Sequence, residues 1–186
     1  MGFEPSSWAL CGATLRRLVP SDAQALLALV DANRGHLRPW MDWEADVRCL
    51  ADTTHFIQSA RALGPRGPTA YECGIFEDRS GALAGAVGLN GIELDKGTAN
   101  LGYWLAATHE GRGWVSAAAG HLARFGFEVL DLHRIEIRAA VGNLKSQNVA
   151  QRAGFTREGT LRNGMLVAGV RHDVAVFSRV PDDPSP

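Results

Sequence analysis

Two short runs in this chain hold residue types able to manage an anionic, activated group. The first, Glu110-Gly111-Arg112-Gly113-Trp114-Val115 with Ser116 behind it, lies between a strand-like run and a long apolar run of helical period. A glycine turn at such a junction aims several backbone N–H groups and the positive end of a helix dipole at one point. Arg112 adds a planar cation suited to phosphate. The chemistry implied is pyrophosphate binding, although a lone G-x-G more often only reverses the chain, by roughly two to one. The second run is Asn143-Leu144-Lys145-Ser146, where a hydroxyl at a helix start is either a cap or a proton donor, and capping is the commoner role by roughly three to one. The chain contains no G-x-x-x-x-G-K-[ST], no G-x-G-x-x-G after its first strand and no G-x-S-x-G. Nucleoside triphosphate, dinucleotide and serine-hydrolase chemistry are therefore set aside.

The elements that must position these runs can be read from periodicity and punctuation. Ala13 to Leu18 reads as a strand, and Ser21-Asp22 cap a helix that Asn33 and Gly35 are expected to stop. His36 to Trp43 reads as a loop or a broken helix, and 52–62 as a second helix ended by Gly64-Pro65-Arg66-Gly67-Pro68. Tyr71 to Glu77 and Leu83 to Leu89 flank Asp78-Arg79-Ser80-Gly81 as a hairpin. Ala99 to Ala106 is a strand, and a long helix runs from the glycine loop to about Leu130. Arg134 to Arg138 alternates as a strand with one wet face. A helix over Asn143 to Ala153 closes at Gly154, and Phe155 to Leu161 and Asp173 to Arg179 are the last strands.

The 186 residues, 46% hydrophobic and 21% charged, predict one globular domain over 1–180 with a disordered tail over 181–186. Nineteen basic against twenty acidic residues give a formal charge of -1, so no global field gathers a nucleic acid, while a local basic patch for an anionic cofactor stays open. Cys11, Cys49 and Cys73 form no C-x-x-C pair, and the six histidines form no H-x-x-x-H; reduced thiols, a cytoplasmic address and no metal are expected. No run approaches the roughly 20 apolar residues of a spanning helix, and the start lacks a secretory pattern, so no membrane role is expected.

Read in order, Leu101-Gly102-Tyr103-Trp104-Leu105, the glycine loop, Asn143-Leu144-Lys145-Ser146 and Ala153-Gly154-Phe155-Thr156-Arg157-Glu158-Gly159-Thr160-Leu161-Arg162 resemble the GCN5-related N-acetyltransferases (GNAT). More narrowly they resemble the branch that acetylates ribosomal-protein N-termini, and His36-Leu37-Arg38-Pro39-Trp40-Met41-Asp42-Trp43 resembles that branch's substrate-side helices. The resemblance implies an α/β fold with a central mixed, mostly antiparallel twisted sheet of about seven strands, splayed at its fourth and fifth, with about four flanking helices. It implies acetyl-CoA as co-substrate, bound by Trp104, Leu105, Ala106, Gly111, Arg112, Gly113, Trp114, Val115, Ser116, Asn143 and Ser146. It further implies Ser146 and Asn143 beside the thioester, an acceptor groove with Trp40, Trp43 and Tyr103, and a possible homodimer.

Two cradle positions depart from the family pattern: Glu110 stands where glutamine or arginine is usual and Val115 where glycine or alanine is common. Ser116-Ala117-Ala118 replaces a frequent T-E-A. An acid at Glu110 is expected to weaken cofactor affinity. Where some relatives carry a glutamate after E-G-x-L-R, this chain arrives near Met165, which cannot act as a base. Glu72, Asp42 and Glu44 are candidates by chain position only, and the base is unassigned. Three readings follow: acetylation of a protein or peptide N-terminal amine, acetylation of a small amine (or use of another acyl-CoA), and an acyl-CoA-binding module without turnover. Trp40 and Trp43 divide evenly between groove wall and core packing, and Trp104 and Trp114 share that ambiguity.

Overall fold

The computed structural model describes residues 7–184, so most of the start read for a secretory pattern and the end of the expected tail lie outside the described residues. In chain order the strands are β1 (Trp8–Leu10), β2 (Ala13–Arg17), β3 (Leu63–Gly64), β4 (Gly67–Pro68), β5 (Ala70–Glu77), β6 (Leu83–Glu93), β7 (Thr98–Leu105), β8 (Arg134–Ala140), β9 (Thr156–Val167) and β10 (Val170–Arg179). The helices are α1 (Ala23–Leu37), α2 (Leu50–Arg61), α3 (Trp114–Glu128) and α4 (Leu144–Arg152). Eight strands form one sheet in the order β1-β2-β5-β6-β7-β8-β10-β9, against about seven expected. Every neighbouring pair is antiparallel except β7–β8. The segment read as an emphatic break carries the two-residue ribbon β3–β4.

Strand alternation sends two residue sets to opposite faces of this sheet. Tyr71, Cys73, Ile75, Val87, Leu89, Leu101, Ile135 and Ile137 form the main core, which α3 covers with Ala118, Ala119, Leu122, Ala123 and Phe125. The small residues let α3 lie close: a Cβ on Gly126 would stand 2.7 Å from Ile135 Cδ1. On the other face α1 and α2 bring Leu26 and Ile57 against Leu18, Phe76 and Leu83.

Several boundaries differ from the sequence reading: β9 runs past Leu161 to Val167, β10 starts at Val170 rather than Asp173, β6 reaches Glu93 and α2 starts at Leu50. Helix α1 passes through Asn33 and Gly35 to Leu37. Asn33 donates its side-chain amide to Leu29 O (2.8 Å) and accepts the N–H of Ala107 at Oδ1 (3.0 Å), so it ties the helix to the loop after β7. A Cβ on Gly35 would meet nothing within 4 Å, and a glycine on an open helix face need not end the helix. After α1 the chain enters a short 3-10 turn at Trp43–Ala45. At the far end, Val180 and Asp183 close a turn through Val180 N–H to Asp183 Oδ2 (3.0 Å) and Asp183 N–H to Val180 O (3.1 Å).

Candidate active site

The sheet opens where the one parallel pair among the described residues ends. Strands β7 and β8 are in register at Thr98↔Arg134, Ala99↔Ile135 and Asn100↔Glu136, and the pairing stops there although both strands continue. The expected splay therefore lies between β7 and β8. Ala106 gives its N–H to Ala84 O of β6 (2.8 Å), so by strand alternation the N–H of Leu105 faces the opposite way, into the gap. An open strand edge of this kind takes an extended ligand by main-chain hydrogen bonding.

At the outer end of the gap sits the glycine loop. Gly111 and Gly113 are left-handed, with φ of 79° and 78°, and a Cβ on either would meet nothing within 4 Å. Gly113 is the N-cap of α3, so no side chain caps that helix, and among the described residues the N–H groups from Gly111 to Ser116 donate to no protein acceptor. Free amides, the helix dipole and empty space above two glycines make a fit for a diphosphate. The loop's side chains do other work. Trp114 and Val115 are core residues, and Trp114 Nε1 donates to Cys11 O (2.7 Å). Arg112 pairs with Glu77 (2.7 Å) and lies 4.9 Å over the Trp114 ring, while Ser116 Oγ accepts from Arg152 Nε (3.2 Å). Glu110, expected to weaken cofactor affinity, is paired with Lys145, and its carboxylate lies 3.4 Å from His36 Nε2. Beside α3, Arg124, Arg152 and Arg179 line a hollow of about 260 Å³, a local basic patch in a chain of nearly zero net charge.

Across the gap, Asn143 Oδ1 accepts the N–H of Ser146 (3.1 Å), so Asn143 is the cap of α4 and Ser146 is left with its hydroxyl free of that duty. Tyr103 donates its phenol proton to Ser146 O (2.9 Å) and stands 3.1 Å from Ser146 Oγ. Burial pushes the Tyr103 phenol up to about 12, partly opposed by the bond to Ser146, so it stays protonated through the neutral range. The pair supplies a hydroxyl with a second hydroxyl behind it.

On the α1/α2 side a cavity of about 820 Å³ reaches this pair. Its walls include Trp40, Trp43, Trp104, Tyr103, Met165 and Ser146, with Asp42 and Asp46 exposed at its rim. Trp43 packs on Trp104 with ring centroids 5.8 Å apart, so these two form one aromatic wall, whereas Trp40 stands 6.5 Å from His172. Of the three carboxylates considered as a base, Glu44 is buried and held by Arg34 (3.3 Å), and Asp42 lies at the open rim.

Glu72 differs from both. It is buried in β5 and lines the cavity, where desolvation pushes its carboxyl up to about 8, opposed in part by the polar Asn90 side chain nearby. Its register partner is Gly88, and a Cβ there would stand 2.1–2.2 Å from all three carboxyl atoms. The next residue in the row is Gly102 of β7. The contribution of Gly88 and Asn90 was not legible in sequence, because strand register alone brings them beside Glu72.

The geometry thus joins an anion cradle, an open strand edge, a hydroxyl pair and a cavity along one gap. The pattern of the Acetyltransferase (GNAT) domain matches residues 13–156. YdaF of Bacillus subtilis is 36% identical over 171 residues, 89% of each chain, and the ribosomal-protein-serine acetyltransferase of Escherichia coli is 30% identical over 168 residues, 90% of this chain and 92% of that protein. Among solved structures, a RimL ribosomal L7/L12 α-N-protein acetyltransferase in complex with coenzyme A superposes with a TM-score of 0.84 at 30% identity, covering 93% of this chain and 96% of that one. The microcin C7 self-immunity acetyltransferase MccE in complex with acetyl-CoA and AMP superposes at 0.82 and 29% identity, covering 95% and 97%. With a family pattern over most of its length and a gap built for a thioester carrier, the chain belongs to the GNAT family and is an acetyl-CoA-dependent N-acyltransferase.

Proposed function

We propose that the acceptor is the N-terminal amine of a protein or peptide, attacked directly on bound acetyl-CoA. The observation that carries this reading is the cavity itself: it meets the gap at Tyr103 and Ser146, has an aromatic wall and bears acids at its rim, which suits an extended, cationic chain end. The similarity to the Escherichia coli relative and to the coenzyme A complex, both acetyltransferases of ribosomal proteins, supports it. Exposed Val141, Leu144, Leu161 and Leu166 lie on α4's approach and the β9–β10 hairpin, whose Met165 and Val167 line the cavity, and would meet the acceptor beyond its first residues.

In this mechanism the amides of Gly111 to Ser116 hold the diphosphate and the Leu105 N–H polarises the thioester carbonyl as its oxygen gains charge. The amine must arrive neutral. At pH 7 that costs about 1.4 kcal/mol for an α-amine and about 4.6 kcal/mol for a lysine, from ordinary pKa values near 8 and 10.4. Collapse of the tetrahedral state expels the thiolate, which takes the Ser146 hydroxyl proton; a thiol pKa near ~8.5 makes a weak donor sufficient. Asn143 acts through Ser146, by fixing the turn that presents it.

The test is acetyl-CoA turnover, read as free thiol, with peptides of increasing length, free amino acids and polyamines. Peptides longer than about four residues are expected to outrun single amino acids and polyamines in kcat/KM. Preference for a polyamine would replace this reading with a small-amine acceptor.

A further inference from the structure

We propose that Glu72 is the proton acceptor for the incoming amine, delivered to the gap by a trough that Gly88 and Gly102 leave across the sheet. The inference rests on the reading above that an amine enters the cavity, and it names the group that makes this amine reactive.

The placement follows from register. Glu72, Gly88 and Gly102 stand opposite one another on β5, β6 and β7, and directly opposed residues share a face. Neither glycine has a side chain, so the Glu72 carboxyl lies over Gly88, one strand nearer to β7 than its own backbone. The residue after Gly102 is Tyr103, bonded to Ser146, and the one after that is Trp104 of the cavity wall. The carboxyl therefore points from the cavity floor towards the strand whose free edge faces the gap.

The surroundings fit a proton acceptor better than a structural ion pair. A buried carboxylate needs a cation or several donors, and among the described residues no cation pairs with Glu72. Among the described residues, the polar side chain that favours its charged form is that of Asn90. The other charged or titratable groups lining the cavity are Asp42, Asp46, Asp52 and His55 on the α1/α2 side, Tyr103 on β7 and Arg138 on β8. None of these contributes to the Glu72 shift; Asp52 accepts the N–H groups of Arg48 and Cys49, and Arg138 pairs with Glu136. A buried carboxyl at about 8 is matched to an α-ammonium near 8, which is where proton transfer between them is nearly balanced.

The step balances. An ammonium proton passes to ionised Glu72, and the freed nitrogen pair forms the C–N bond. The C–S bond breaks with its electrons on sulfur, which takes the Ser146 proton. The amide nitrogen's surplus proton restores the serine, and Glu72 later releases its own to solvent.

The experiment is a pH profile of kcat for Glu72→Gln, Glu72→Asp and the native protein with the best acceptor of the panel. Glu72→Gln keeps the shape of the side chain and is expected to lower kcat on the order of 100-fold at pH 7, the low end for a general base, and to lose the rising limb seen in the native protein. Acetyl-CoA affinity should change less than twofold. Glu72→Asp should keep the limb with a lower plateau. Native kcat in Glu72→Gln, or a lowered plateau with the limb intact, overturns the proposal. If a polyamine replaces the peptide as acceptor, the protein-terminus reading falls while Glu72 is judged by the same limb on that amine. If no amine is turned over, 13C NMR of the glutamate carboxyls with coenzyme A bound decides: the signal absent from Glu72→Gln should titrate near 8, and one already ionised at pH 6 overturns the assignment.

Discussion

The two ends of the gap between β7 and β8 are built from different materials. At the cradle the working groups are backbone amides presented by two left-handed glycines at 79° and 78°, while the loop's side chains pack into the core or pair with residues outside the loop. At the cavity the working groups are side chains, collected from β5, β7, α4 and the turn after α1. Backbone donors are presented at no desolvation penalty beyond that of a helix end, and they tolerate nearly any side chain. Buried side-chain chemistry must be held against solvation and is correspondingly destabilising. The cradle should therefore be sensitive to conformation and the cavity to single atoms.

The largest expected effect tests the second half of that contrast. The Glu72 carboxyl keeps its proton up to about 8 in the fold, whereas the same group in an unfolded chain releases it near 4.5. Between those values the folded protein holds more protons than the unfolded one, so stability falls as pH rises through this window. Glu72→Gln removes the titration. It should match the native protein in thermal unfolding near pH 4 and exceed it at pH 8.5 by roughly a few kcal/mol at most, several degrees in Tm. Equal Tm differences at both pH values would mean that the carboxyl is not desolvated and that the cavity carries no such burden.

This division also explains what could be read in advance. The cradle was legible because the residues that shape it are consecutive, and glycine at positive φ leaves a mark in sequence that survives whatever Glu110 and Val115 do beside it. The strand before it and the helix after it were legible for the same reason, whereas the splay was expected only from the family resemblance. Ser146 was visible as a residue, but its relation to Tyr103 was not, since 43 positions separate the two. The trough is the extreme case: Glu72, Gly88 and Gly102 become neighbours only through the β5–β6–β7 register, and nothing local distinguishes Gly88 from a glycine in a turn. Of the two helix-stop signals in α1, Asn33 failed because it is used for a tertiary bond to Ala107, which outweighs local propensity, and Gly35 because it lies on an open helix face.

Conformation should govern the first end of the gap. Gly113→Val forces a β-branched residue into the left-handed region and sets its side chain in the space the diphosphate needs, although no protein atom lies within 4 Å. Calorimetry should show acetyl-CoA binding weakened at least roughly tenfold with only a small change in Tm; unchanged affinity would mean that those amides are not the binding groups. Ser146→Ala should lower kcat by about tenfold and leave acetyl-CoA affinity nearly unaltered, as removal of a transition-state donor does. An equal loss in both would make Ser146 a binding residue only.

The smallest expected effect is the sharpest test of the contrast, because it concerns the residue that seemed from sequence to be the obvious phosphate ligand. Arg112 is engaged with Glu77 at 2.7 Å and stacked on Trp114, so using it on a phosphate requires giving up those contacts. It is also half-exposed, where a charge pair is worth little and is screened by salt. Arg112→Ala should therefore weaken acetyl-CoA binding only about twofold to threefold at physiological salt, with the difference disappearing as salt is raised. A loss as large as that of Gly113→Val, persisting in high salt, would show that the cradle grips its ligand by a side chain after all, and the distinction between the two ends of the gap would fail.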